Sequence, residues 1–274
     1  MTRTAEWREA FAFVTPATLL TLTILAVPLL YIFNYSIGGA NPGLGAFNEL
    51  LGSALFIRTL STTVIISASA SMLSLILGYV IALHLARQEP RRRSLYMLLV
   101  LLPFWTSVLV KCYAFTVLLG RSGVVNEFLS WMTGSQVQLA LILNRIGVLI
   151  GMTNYLTPFV VFPVLASLLA IDPSAYRAAR IMGAGPVRIF TTVTLPLSLP
   201  GIIAALSTVM VMGLAFFVIP ALLGGPRDAM LSNLVDFYTR ETLDWNLASA
   251  AGVLLLGMVL LVTVPLALLR KKQN

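Results

Sequence analysis

Charge is what this sequence most lacks: Asp, Glu, Lys and Arg make up only 10% of its 274 residues, against about 25% in an ordinary soluble domain. With 58% of the residues hydrophobic, that deficit points to lipid as the surrounding solvent. The single cysteine, Cys112, excludes a disulfide framework within the chain and a thiolate-rich metal site. The single histidine, His84, excludes a histidine cluster. No Gly-x4-Gly-Lys-Ser/Thr phosphate loop occurs, and no Ser/His/Asp arrangement or metal-ligand spacing is visible, so neither a catalytic nor a metal site is expected. The short segments of alternating polarity that mark a membrane β-barrel are missing as well.

What the sequence has is six long apolar runs: Phe11–Ile37, Thr59–Ala86, Leu95–Leu119, Ile146–Ala170, Pro196–Leu223 and Leu247–Leu269. About 20 apolar residues cross the hydrocarbon core as a helix, and each run can do so with some tilt. The expected fold is all-α: a polytopic membrane protein of six transmembrane helices. Pro28, Gly78, Pro103, Pro158 and Gly213 interrupt several runs, which membrane helices tolerate where neighbours re-satisfy the freed backbone groups. The first run exceeds the apolar stretch of a secretory leader and is preceded by Arg3 and Arg8 mixed with Glu6 and Glu9, so it reads as an anchor. Residues 1–58 hold the N-terminal tail, first helix and outer loop, and 59–274 form a five-helix core.

The +8 net charge is a topology signal rather than a nucleic-acid footprint. Six spans with the N-terminus inside put Arg3, Arg8, Arg87, Arg91, Arg92, Arg93, Arg177, Arg180, Arg188, Arg270, Lys271 and Lys272 on the cytoplasmic side. Only Arg58, Arg121, Arg145, Arg227 and Arg240 fall outside, with Lys111 left within a span. Basic short loops stay cytoplasmic, so both termini are expected there. Every Asp and Glu falls in a loop or tail. That counts against two alternatives, an ATP-independent secondary transporter and an intramembrane enzyme, which need carboxylates or nucleophiles inside the spans. No internal repeat indicates a complete duplicated transporter, so a substrate pathway would need a second subunit.

The loop between the fourth and fifth runs, residues 172–196, is more patterned than a connector. Asp172, Pro173 and Ser174 supply a helix start. Ala175 to Met182 favours a short helix closed by Gly183, a second short piece follows Pro186, and Pro196 and Pro200 mark the return into the membrane. Arg177, Ala178 and Ala179, then Gly183, then Val193, Leu195 and Pro196 stand at set spacings. This pattern resembles the cytoplasmic signature of the permeases of binding-protein-dependent ABC importers: Glu-Ala-Ala, three residues, Gly, nine residues, an aliphatic residue, any residue, Leu-Pro. Arg177 departs from it, standing where the family has an acid, which removes any salt bridge that acid would make. The plainer alternative is an amphipathic hairpin that only joins two spans.

The resemblance implies a type I ABC importer permease fold, in a bacterial inner membrane, with the loop docking as a coupling helix pair into a groove of an ATPase subunit. It implies two ATPases that bind ATP and Mg, a second and related permease giving a heterodimer, an external solute-binding protein, and no nucleic acid. Small alanines would permit close approach, and Gly183 the turn between the two helices. A second window, Leu101 to Leu129, looks like the corresponding region of spermidine/putrescine-type permeases in Pro103, Phe104, Trp105, Lys111, Tyr113, Ala114, Gly123 and Asn126. The cargo this implies is a polyamine or another small cationic or amino-acid-like solute. The likeness runs from about Thr59 to the C-terminus.

Lys111 either faces the bundle, a cavity or a partner subunit, or snorkels to the outer interface on its long stem. In the pathway its charge would repel a polyamine, so pairing with an acid or with helix C-terminal carbonyls fits better than direct cargo binding. Trp105, Tyr113, Asn154, Tyr155, Phe216 and Phe217 are the candidate pathway-lining residues, since aromatic faces attract cations. Each aromatic has ordinary packing or an interfacial belt as its alternative. His84 reads as interfacial and Arg91–Arg93 as a topology determinant that also attracts anionic lipid. Asp228, Asp236, Glu241 and Asp244 either meet a binding protein or cations, or form a solvated surface loop.

Overall fold

A computed structural model of the protein describes residues 3–38 and 43–271, and the side chains of residues 14–38 and 43–265. Of the charges that set the expected topology, Lys272 and the side chains of Arg3, Arg8, Arg270 and Lys271 lie outside the described residues. The chain runs through α1 (Arg3–Gly38), α2 (Gly45–Gly52), α3 (Ala54–Ala86), α4 (Pro90–Trp105), α5 (Val108–Leu119), α6 (Val124–Thr133) and α7 (Arg145–Leu169). Then come α8 (Pro173–Ile181), α9 (Pro186–Ile189), a π turn (Phe190–Thr194), α10 (Leu195–Leu214), α11 (Val218–Leu223), α12 (Leu231–Arg240) and α13 (Trp245–Lys271). No strand occurs among the described residues. Among the described residues six stretches are long and apolar enough to cross a membrane: Val14–Gly38, Ala54–Ala86, Val108–Thr133, Arg145–Leu169, Pro186–Leu214 and Trp245–Pro265.

Two compact units emerge. One comprises residues 1–56 with 234–254, the other 57–233 with 255–274. Residues 234–254, which the sequence reading keeps in the core, therefore group with the N-terminal segment. In the first unit, α1 packs on α2. The start of α13 is capped by Asp244, whose carboxylate accepts the Asn246 N–H at 3.1 Å and the Leu247 N–H at 3.0 Å. The Tyr238 hydroxyl of α12 is pushed above its ordinary pKa, first by burial and then by the nearby charges of Glu49 and Asp244.

The second unit is built around α7. Val148, Met152, Leu156, Val160 and Val164 recur at four-residue spacing and are fully buried, so one row of the helix faces protein throughout. Around it pack Ile66 and Ala70 of α3, Cys112 of α5, Ala205 and Val209 of α10, and Ile219 and Leu223 of α11. Two glycines set the closest approaches. A Cβ on Gly78 would stand 2.6 Å from the Val160 side chain, and one on Gly201 would stand 2.6 Å from the Pro163 carbonyl. Small residues at helix crossings let backbones meet where lipid provides no hydrophobic drive for association. A row of hydroxyls, Thr59, Thr63, Ser67, Ser71 and Ser74, is buried along α3. Thr63 Oγ1 accepts the Leu231 N–H at 2.7 Å, and Ser74 donates to the Thr153 carbonyl at 3.3 Å.

Three expected elements differ. The third apolar run is divided: α4 ends at Trp105, Thr106 and Ser107 are extended, and α5 restarts at Val108. Pro103 lacks the N–H that would continue the ladder, and its ring presses on the preceding turn. The helical piece after Pro186 is not separate but continues into the fifth span. Pro196 would collide with the carbonyl four residues back in an ordinary helix; the π turn, closed by the Leu195 N–H on the Phe190 carbonyl, makes room for it. At its far end the fifth run stops at Leu214 and resumes as α11.

Replacing Gly201 by Val should lower the unfolding free energy in mixed micelles by about 1–3 kcal/mol, because the opposing Pro163 carbonyl is backbone and cannot rotate away. Gly257, whose added Cβ meets nothing within 4 Å, is the control, and Gly257→Ala should unfold at or above the wild-type temperature. Equal thermal stability of Gly201→Val and wild type would contradict the close-packed α7–α10 crossing.

Candidate functional site

The loop after α7 is folded by its own capping chemistry. Asp172 precedes α8, and its carboxylate accepts the Ser174 N–H at 2.7 Å, satisfying one of the orphan donors of the first turn. The backbone and side-chain hydrogen bonds from Ser174 hold the exposed Asp172 carboxyl below its usual pKa. At the other end the Ala184 N–H reaches the Ala179 carbonyl at 3.0 Å and the Gly183 N–H reaches the Arg180 carbonyl at 2.9 Å. Gly183 has φ +75°. This is the Schellman closure, in which a left-handed residue ends the helix, and glycine adopts it without a Cβ penalty.

The nine residues of α8 are strongly amphipathic in phase. Ala179 is buried within this chain, so the expectation that its small side chain faces a partner is corrected: it faces inward, where the closure also uses its carbonyl. Arg177 and Ala178 are exposed, and Leu195 and Pro196 are exposed in the first turn of α10. Sequence reasoning missed the outermost residues, Ile181, Met182 and Val187, which are 86%, 80% and 77% exposed. The available signal was three apolar residues beside a glycine turn in a segment otherwise rich in arginine. The second limb is braced from α3. The Tyr79 ring meets Phe190 edge-on at 6.2 Å, and the Tyr79 hydroxyl hydrogen-bonds Ser198 at 2.9 Å. Beneath the loop lies a cavity of about 740 Å³ lined by Leu83, Arg87, Tyr176, Arg180 and Phe190 among others.

Within the membrane-spanning part, Lys111, Tyr155 and Phe216 come together where two broken helices meet α7. The Lys111 ammonium lies 5.3 Å from the Tyr155 ring centre. Tyr155 packs edge-on against Phe216 at 4.8 Å and beside Phe159 at 5.8 Å, and Phe159 meets Phe104 at 5.4 Å. Lys111 therefore turns into the bundle, and among the described residues it forms no ion pair. The aromatic face supplies the electrostatic partner instead. Phe216 lies in the gap between α10 and α11, whose freed carbonyls are taken by α12: Ser232 donates to Phe216 O and Asn233 to Phe217 O.

The other candidates are dispersed. Trp105 and Tyr113 are 82% and 74% exposed and leave this cluster, and Phe217 is exposed at the helix gap. Asn154 lines a separate, almost wholly apolar cavity of about 1070 Å³ with His84, Tyr96, Thr153 and Thr157. Three of the four loop acids have partners in their own unit. Asp228 pairs with Arg145 at 3.3 Å, Asp236 with Arg240 at 2.7 Å, and Asp244 caps α13. Among the described residues no group of three or more His, Cys, Asp or Glu could hold a metal.

Residues 74–273 match the family of binding-protein-dependent transport system inner membrane components. The spermidine/putrescine transport system permease protein PotB of Escherichia coli K12 is 30% identical over 211 residues, covering 76% of this chain and 77% of that protein. The inner membrane ABC transporter permease protein YdcU of the same organism is 30% identical over 220 residues, covering 76% and 68%. In fold, a chain of a bacterial ABC transporter that imports the acidic polysaccharide alginate superposes with a TM-score of 0.80 at 20% identity, covering 98% of this chain and 96% of that one.

The Lys111–Tyr155 contact should carry a coupling energy of about 1–2 kcal/mol in a double-mutant cycle of Lys111→Met and Tyr155→Leu, read from unfolding in mixed micelles. Lys111→Arg should keep most of it. A coupling near zero would show that the ammonium is held by something other than the ring.

Proposed function

The chain belongs to the family of binding-protein-dependent transport system inner membrane components, and on that premise we propose that it forms half of an import pathway and couples it to a separate ATPase through residues 172–196. It is a multi-pass inner-membrane permease, not an enzyme. In the proposed assembly a second, related permease supplies the other half of the pathway, two ATPase subunits bind ATP and Mg, and an external binding protein delivers solute. Both termini face the cytoplasm, as the arginine and lysine bias requires. The cargo is a polyamine or another small cationic or amino-acid-like solute. The likeness to the spermidine/putrescine permease protein PotB supports that cargo.

One observation carries the coupling assignment: a short capped helix, closed by a left-handed glycine, presents bare apolar side chains outside the bundle. Exposed apolar residues at a loop tip mark an interaction site when they cluster on a rigid element. Import by alternating access needs such a rigid contact, because ATPase closure must displace the permease rather than bend a loop.

Gly183→Val distorts the closure, and Ile181→Asp places a charge at the tip; neither alters a membrane-spanning residue. Each variant, expressed with its partner subunits, should reach normal membrane abundance yet lose ATPase co-purification and solute uptake by about tenfold or more. Wild-type co-purification and uptake in both would reduce the loop to a connector.

A further inference from the structure

We propose that the surface receiving this loop is an apolar groove rimmed by carboxylates, so that the ATPase subunit paired with this chain meets it through Arg177, Arg180 and Arg188. The inference rests on the coupling assignment and specifies the partner's chemistry. Between Pro173 and Ile189 the sequence contains three arginines and no acid. All three arginines are exposed, and among the described residues none has a carboxylate partner. The one acid of the loop, Asp172, is engaged as the helix cap at the far end of α8 from Ile181. The loop therefore exposes apolar side chains together with arginines and no free acid, the composition of an interface core with a basic rim.

The phase of the helix favours a protein groove over a lipid surface. Arg177 and Ile181 are four residues apart, and Arg177 and Arg180 three apart, so charge and apolar tip share one stripe of α8. A helix lying in the membrane interface separates the two, with cations opposite a continuous apolar face. Here the opposite side of α8, at Ala179, is already buried in the protein. Guanidinium groups bind carboxylates through paired, directional hydrogen bonds. Exposed rim charges of this kind act chiefly on association rate and on salt dependence.

The test uses the assembled complex, with the ATPase retained on this chain measured over a salt series. Wild-type association should weaken as salt rises from about 0.1 to 0.5 M, over which the screening length falls from about 10 to about 4 Å. Arg177→Glu and Arg180→Glu should each weaken association about tenfold at the lower salt and flatten that dependence. Arg177→Lys should retain most of it, and a carboxylate-to-lysine change in the ATPase groove should restore Arg177→Glu. If both charge reversals bind like wild type while Ile181→Asp still loses the ATPase, docking stands and the acidic rim is wrong. If Ile181→Asp also binds normally, the coupling assignment itself falls. Binding of the complex to anionic vesicles, lost in Arg177→Glu with ATPase affinity unchanged, would assign the patch to lipid and overturn the proposal.

Discussion

The membrane core depends on how closely other helices approach α7. Its fully buried row from Val148 to Val164 is met by glycine backbone, Gly78 on one side and Gly201 on another. In lipid, apolar side chains alone do not draw helices together, so this backbone contact and its dispersion energy must do it. Because the contact is rigid, α7 fixes two separate things. Midway it places Tyr155 against Phe216 and beneath Lys111. At its end it hands over to Asp172 and the capped loop. The middle and the end of one packed element thus place the membrane cluster and the loop.

That arrangement suits a subunit that transmits force rather than performs chemistry. The fifth span continues without a flexible link from α9 through the π turn into α10, and Tyr79 of α3 clamps the turn through Phe190 and Ser198. A push on the second limb at Val187 reaches α10 along helix, and one on Ile181 and Met182 reaches it through the short capped turn at Gly183. The gap at Ala215–Phe217, with its carbonyls held by Ser232 and Asn233, is where that helix can end without leaving polar groups unpaired at membrane depth.

Much of this was legible in the sequence. The apolar runs disclosed six spans, and Asp172-Pro173 together with Gly183 disclosed a capped helix and its left-handed turn, because both signals are local. The breaks at Thr106–Ser107 and at Ala215–Phe217 were not legible, since composition stays apolar through them and hydropathy records no backbone angles. Nor was the inward turn of Ala179 or the outward turn of Ile181. A nine-residue helix has too few turns to fix its phase from sequence alone. Lys111 was visible as an intramembrane charge, but the sequence pointed to an acid or to helix C-terminal carbonyls as its partner, whereas the structure supplies the face of Tyr155 from a different helix.

The central claim is that the tip between α8 and α9 touches an ATPase subunit. A photo-crosslinking amino acid placed at Met182 in the assembled complex, irradiated in native membranes, tests it without altering binding energetics elsewhere. One dominant adduct with the ATPase subunit is expected, and none with it from a probe at Tyr113 on the exposed flank of α5. Adducts from position 182 that contain only lipid or a second copy of the permease would contradict it.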